Sequence, residues 1–391
     1  MSASDYFKKE VDELKSKNLD WKIRVLQGKS VPHTRIDGKE MLMLCSNNYL
    51  NLSSHPKLVE AAVNAAKSFG AGSGSVRAIA GTMELHVKLE KKISEFKETE
   101  DSLYYQTGFA ANAGLIPALA GKNDLIVSDE LNHGSIIDGV RLSKAEKKVF
   151  SHRNYDELKK ILEESEKNFN KILVVSDGVF SMDGDIAELD KISGLCRKHN
   201  ALSYVDDAHG DGVLGKGKGI VHHFNLKGKV DVEMGTFSKA FGVVGGYVCG
   251  STDLKEFALN KSRTWLLSGS APPATVGACI ASLEVVQSEP QHVKKLWENT
   301  FYWKKQLKNA GFDTGISETP ITPVMLGESS TARKFSEKLL GKGIFALPIV
   351  FPMVAEGKAR IRSMMNSGLT KEDLDFALEK FSETGKELKL I

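Results

Sequence analysis

Apolar positions along this chain recur in two periods, and the middle of the chain alternates between them. Short apolar runs at Ser102–Tyr105, Leu125–Val127, Lys148–Phe150, Ile172–Ser176, Leu202–Asp206, Val230–Met234 and Val243–Cys249 read as buried strands. Between them lie stretches of helical period at Ala110–Ala120, Ser135–Leu142, Tyr155–Glu166 and Ile186–His199. Such alternation predicts a mostly parallel sheet of seven strands, covered on both faces. Upstream, Ser2 or Ser4 can cap a helix with Phe7, Val11 and Leu14 on one face, and Thr34–Leu44 reads as a hairpin turned at Asp37-Gly38. His55-Pro56 opens a helix to about Phe69, and Glu84–Phe96 is a second amphipathic one. After Pro272-Pro273 come two long helical stretches, a region of short strands and a last helix, Lys371–Glu387. The expected division is a large α/β domain over 47–289, a smaller α+β domain over 290–391, and an amino-terminal helix and hairpin over 1–46 packed with the smaller domain.

Composition narrows the class without naming a function. In 391 residues, 53 basic and 50 acidic side chains are well mixed and leave a formal charge of +3. That balance gives neither a nucleic-acid stripe nor a polybasic membrane patch. Cys45, Cys196, Cys249 and Cys279 stand far apart in apolar or small-residue settings, without metal-ligand or disulfide spacing, so buried reduced thiols are expected and no metal is. The residues MSASDYFKKEVDELK lack a secretory pattern, and no apolar run approaches the ~20 residues of a membrane span, so a cytoplasmic setting is the default. Gly70–Gly81 is a glycine- and serine-rich loop, but no Gly-Lys-Ser/Thr follows it, which excludes a nucleotide P-loop and leaves a flexible segment near a ligand.

The polar residues that matter fall where strands end. In a parallel sheet, ligands sit at the carboxyl ends of the strands. There the chain places Gly108-Phe109, His133, Ser181, Asp206 with His209, and Lys239. Lys239 lies between two apolar runs, beside hydroxyls and glycines, a setting that desolvates the amine and favours its nucleophilic form. These residue types suit pyridoxal 5'-phosphate. Asp206 can keep the ring nitrogen protonated, His209 can bond the phenolic oxygen, and His133 can stack on the ring. Amides around Gly108-Phe109 can hold the phosphate with help from Thr236, while Lys239 serves as Schiff-base lysine and general base.

The segments Ser46-Asn47-Asn48-Tyr49-Leu50, Leu131-Asn132-His133, Asp177–Gly184 (DGVFSMDG), Val205–Gly210 (VDDAHG) and Thr236-Phe237-Ser238-Lys239 together resemble the α-oxoamine synthases. These are the acyl-CoA-dependent branch of the fold-type I pyridoxal-phosphate transferases, and the likeness runs nearly end to end. It implies a homodimer with shared active sites, in which Ser268-Gly269 reach the partner's cofactor phosphate. It also implies that Arg362 grips the substrate carboxylate and that Asn47 lies near the substrate. Within the family, Leu131–Leu142, Ser75-Val76-Arg77, Pro323–Gly327 and Ala359–Arg362 are most similar to the 2-amino-3-ketobutyrate CoA ligases. Those are glycine C-acetyltransferases of threonine degradation, so glycine and acetyl-CoA are the expected substrates. Met353, where the 8-amino-7-oxononanoate synthases usually carry a threonine, points the same way; Gly108 and Ala208 point to those synthases instead. Dual specificity and an aminotransferase activity are the alternatives.

Overall fold

The seven apolar runs become strands of one sheet. In the computed structural model, which describes residues 3–16 and 19–391, these are β1 (Asp101–Tyr105), β2 (Leu125–Asp129), β3 (Glu146–Phe150), β4 (Ile172–Asp177), β5 (Leu202–Asp206), β6 (Val232–Thr236) and β7 (Gly246–Gly250). Their spatial order is β1-β7-β6-β5-β4-β2-β3. Only β7 runs against its neighbours; the pairs among β2 to β6 are parallel. Successive residues feed opposite faces, and both faces are apolar. Val127, Val174 and Val205 pack into one core, while Ile126, Leu173, Val175 and Tyr204 pack into the other. β7 begins three residues later than its apolar run, because Phe237 N–H donates to Gly245 O (3.0 Å) and Val243 N–H to Phe237 O (3.0 Å). Those bonds fold Val243–Gly245 into the loop that carries Lys239.

A smaller sheet pairs Ile321–Gly327 with Ala359–Met364, which also pairs with Pro348–Ile349. The hairpin His33–Ile36/Lys39–Met43 turns at Asp37 and Gly38, both at positive φ, and Leu42-Met43 pair in parallel with Ile344-Phe345. Helices at Thr252–Lys261 and Ser329–Gly341 were not anticipated from the sequence. Arg360 joins the small sheet to the large one, donating to Met182 O (3.0 Å) and to the Asp183 carboxylate.

The glycine-rich loop is anchored at its far end. Arg77 is buried 3.0 Å from Glu90 with its guanidinium 5.4 Å from the Trp265 ring, and Val76 bridges to Gly269. The helix Ala3–Ser16 forms where predicted, but Phe7, Val11 and Leu14 are solvent-exposed, as are Trp21 and Ile23 after it. No helix among the described residues is long and apolar enough to cross a membrane.

Candidate active site

The carboxyl ends of β4, β5 and β6 and the loops after β1 and β2 enclose a cavity of about 230 Å³. Its walls include Gly108, Phe109, His133, Ser181, Asp206, His209, Thr236 and Lys239, so eight strand-end candidates meet in one place. A cleft of about 540 Å³ at the opposite end of the sheet, lined by Glu98, Lys227 and Asp253 among others, carries no comparable set.

Asp206 is nearly inaccessible and held at both oxygens. Oδ2 accepts from Asn112 Nδ2 (2.7 Å), and Oδ1 accepts from the Ala208 N–H (3.0 Å). Asn112 is itself fixed, donating to Ser135 Oγ (2.9 Å) and accepting from the Tyr204 hydroxyl (2.7 Å). Register sets Asp177 of β4 beside Asp206 of β5. Asp177 accepts the His133 N–H at 2.8 Å, and burial, reinforced by the charge of Asp206, pushes its carboxyl well above the usual range. The neighbouring Asp207 is turned the other way, onto Lys97, and takes no part in the cavity.

The Lys239 amine makes no hydrogen bond or ion pair among the described residues, while its backbone carbonyl accepts from the Gly242 N–H (3.0 Å). Burial holds its amine below the ordinary lysine value, against the pull of Asp206 and Asp177 and with help from Arg362. His209 is buried with Nδ1 2.7 Å from the Tyr49 hydroxyl. Burial first, then the cations Lys239 and Arg362, keep it well below the usual histidine range and therefore neutral. His133 stands at the exposed mouth, its Nδ1 2.8 Å from Ser135 Oγ. Desolvation lowers its pKa too, opposed by Asp206.

At the floor, Thr107 caps the helix Gly108–Leu119 by accepting from the Ala110 N–H (3.0 Å), which leaves the first amides of that helix without helical partners. A Cβ on Gly108 would come 2.9 Å from Met234 Cε and 3.3 Å from Thr236, so a larger residue would crowd this end of the cavity. The Thr236 hydroxyl donates to Gly245 O (2.6 Å), so its proton is already committed, while the neighbouring Ser238 is exposed on the cavity wall. Arg362 reaches the rim from the small sheet, donating to Ser181 O (2.8 Å) and leaving the rest of its guanidinium unused there. Asn47 Oδ1 is buried without a partner among the described residues. Ser268 and Gly269 lie outside this cavity; Gly269 O accepts from Gln106 Nε2 (2.5 Å), one residue before Thr107.

Sequence reasoning missed Asn112, Thr107, Ser135 and Ser238. Thr107 and Ser238 were findable as a cap before a helix-opening glycine and as the hydroxyl next to Lys239. Asn112 had a weaker signal, one amide in an apolar helix.

A lysine with lowered basicity, a fixed carboxylate, a neutral histidine and a free helix N-terminus around one cavity define a pyridoxal-phosphate transferase of fold type I. Residues 39–381 match the family model for aminotransferase class I and II. The 8-amino-7-oxononanoate synthase of Symbiobacterium thermophilum is 48% identical over 392 residues, covering 100% of both chains. That of Thermosipho melanesiensis is 50% identical over 386 residues, 98% of each. Among solved structures, SPT (serine palmitoyltransferase) with PLP as its internal aldimine superposes with a TM-score of 0.94 at 29% identity, covering 100% of both chains. The chain therefore belongs to the aminotransferase class I and II family, in its α-oxoamine synthase branch, and its cofactor is pyridoxal 5'-phosphate.

These relatives overturn the expected glycine C-acetyltransferase, its place in threonine degradation, and glycine with acetyl-CoA as substrates. The positions that face the cavity agree with these relatives. Met353 follows the Phe351-Pro352 turn and does not line the cavity, whereas Gly108 and Ala208, the two positions that favoured the other branch, both do.

Proposed function

We propose that this chain joins a pimeloyl thioester to alanine with loss of carbon dioxide, forming 8-amino-7-oxononanoate. The observation that carries the reading is identity near one half, over the full length, to synthases of that name. The product explains the pairing: carbons 8 and 9 with the amino group are alanine without its carboxyl, and carbons 1 to 7 are the acyl chain. Atoms balance as alanine plus pimeloyl-CoA giving product, free CoA and carbon dioxide.

The bound cofactor supplies an electron sink for the α-carbon of the amino acid. Around it, Asp206 would hold a proton at the ring nitrogen, its carboxylate kept in place by Asn112. His209, neutral and fixed through Nδ1 by Tyr49, offers Nε2 to the phenolic oxygen. The amides of Gly108 and Phe109 take the phosphate, with Ser238 better placed than Thr236 to add a hydroxyl. His133, at the mouth, would cover the ring. Lys239 takes and returns the proton at the α-carbon. Arg362 holds the alanine carboxylate through the N–H groups that Ser181 O leaves free, and Asn47 Oδ1 supplies an acceptor beside the substrate. In a homodimer, Ser268 and Gly269 would reach the partner's phosphate, and the exposed faces of Phe7, Val11, Leu14 and Trp21 would be covered.

The test is thiol release by purified protein with each pairing of pimeloyl-CoA or acetyl-CoA with alanine or glycine. Pimeloyl-CoA with alanine should be fastest, and carboxyl-labelled alanine should lose its label as carbon dioxide at the rate of thiol formation. Faster turnover of acetyl-CoA with glycine, with the label retained, would refute the assignment.

A further inference from the structure

Away from the cofactor cavity, three potential ligands converge from three segments. His55 precedes the helix Pro56–Phe69, Glu289 ends the helix Pro273–Ser288, and His292 lies in the first turn of the helix Gln291–Asn309. We propose that His55, Glu289 and His292 form a binding site for a divalent transition-metal ion of the zinc class. Glu289 Oε2 lies 3.6 Å from His55 Nε2 and 3.2 Å from His292 Nε2, and one atom of each residue falls within 4.8 Å of the other two. Donors held about 2.0–2.1 Å from a tetrahedral ion stand roughly 3.3–3.4 Å apart. The observed separations bracket that value.

A plain hydrogen-bonded cluster accounts for less of what is seen. At 3.6 Å, His55 Nε2 is too far from Glu289 to hydrogen-bond, and its Nδ1 is buried without a partner. Neither ring nitrogen of a side chain only 17% exposed is thus satisfied among the described residues. An ion between the three groups would take the Nε2 lone pair, and it would also relieve Glu289 Oε2 of serving His292 and Gln291 (3.5 Å) together. Two imidazoles and one carboxylate suit zinc-like ions and not calcium or magnesium, which select oxygen. The side chains are between 17% and 24% exposed, which leaves one side open for water to complete the shell.

Two features set the strength. Lys57 Nζ holds Glu289 Oε1 at 2.7 Å, so the carboxylate can offer only Oε2 and an ammonium opposes the ion. His55 Nδ1 also lacks the outer-shell acceptor that firm zinc sites provide. The site is therefore weak and exchangeable. It lies close to the catalytic loop: Ser53, two residues before His55, packs under Gly242, where a Cβ would come 2.4 Å from Ser53 N.

Untagged, full-length, cofactor-loaded protein, freed of metal by a chelator, should bind about one Zn²⁺ per chain in equilibrium dialysis. His292→Gln, at a partly exposed position, should weaken binding by roughly 10- to 100-fold or more, as should His55→Asn. Lys57→Ala should tighten it severalfold by removing the opposing charge. His222→Gln, in the separate His222-His223 pair, should leave it unchanged. Cofactor absorbance and melting without metal would verify that each variant is folded. Absence of stoichiometric Zn²⁺, or equal binding by wild type and His292→Gln, would overturn the site.

Discussion

Lys97, fully buried, and Lys239, half-buried at the cavity, are driven to opposite states by their surroundings. Lys97 has Nζ 3.2 Å from Asp207, 2.9 Å from Asp211 and 3.4 Å from Glu233, and it donates to Lys218 O at 2.8 Å. Burial alone would neutralise it, yet Asp211, Tyr247, Asp207 and Glu233 together raise it well above the ordinary lysine value. Lys239 also has carboxylates near it, but none touches it, and there desolvation wins. Contact decides the outcome. Asp206 gives its two oxygens to Asn112 and Ala208, and Asp177 one of its oxygens to the His133 amide, and neither ion-pairs with Lys239, whose amine stays unpaired among the described residues. On the far side of the same strand end, Asp207 and Lys97 form a closed ionic core that supports the sheet.

Lys239→Ala should break the reactive half of this contrast with the largest effect. Turnover of pimeloyl-CoA with alanine should fall by at least about 10²–10⁴-fold, the usual worth of a general acid-base, while the melting temperature changes little. Borohydride reduction and peptide mapping of wild type should label Lys239. A label elsewhere, or an active Lys239→Ala enzyme, would mean that the open lysine has been misread.

Lys97→Met should do the reverse. Removing one partner of a buried ionic cluster leaves uncompensated carboxylates and costs roughly 3–5 kcal/mol of stability. Denaturant unfolding should show that loss, and the fraction that remains folded at low temperature should still bind the cofactor. Asp207 tempers the loss, since burial already raises its pKa and lets it take up a proton. A Lys97→Met chain as stable as wild type would show that contact distance is not what separates the two lysines.

The sequence made the open lysine easier to read than the closed one. Lys239 sat in a motif between two apolar runs, and seven strands and most long helices followed from periodicity. Lys97 ends an amphipathic helix and looks there like any solvated lysine; only Glu233 of β6 and the Asp207–Lys218 loop, far from it in sequence, enclose its amine. Asn112 was hidden for a related reason, being one amide in the apolar window Ala110–Ala120 whose partners come from β5 and the His133 helix. Substrate choice misled because Met353 was weighed without knowing which positions face the cavity. In each case what was missing is distance between segments far apart in sequence.

Two histidines repeat the contrast on a smaller scale and permit a finer test. His209 is buried against cations and kept neutral. His152 is buried against acids, with Nδ1 3.1 Å from Asp129 and Nε2 2.8 Å from Asp185. Burial would lower its pKa, but the bonds and charges of Asp129 and Asp185 prevail and raise it from 6.5 to about 9. A folded-state pKa above the unfolded one means that the folded chain binds the proton more tightly. The stabilisation is therefore complete below about pH 6.5, declines as pH rises, and is gone above about pH 9. Its size is roughly 1–3 kcal/mol, allowing for the partial exposure of the pair. Because Asp185 closes the loop that holds Ser181, the melting temperature of wild type should fall between pH 6.5 and 9 more steeply than that of His152→Gln, which keeps a donor but cannot carry the charge. Parallel curves would show that the two carboxylates do not hold His152 in its charged form.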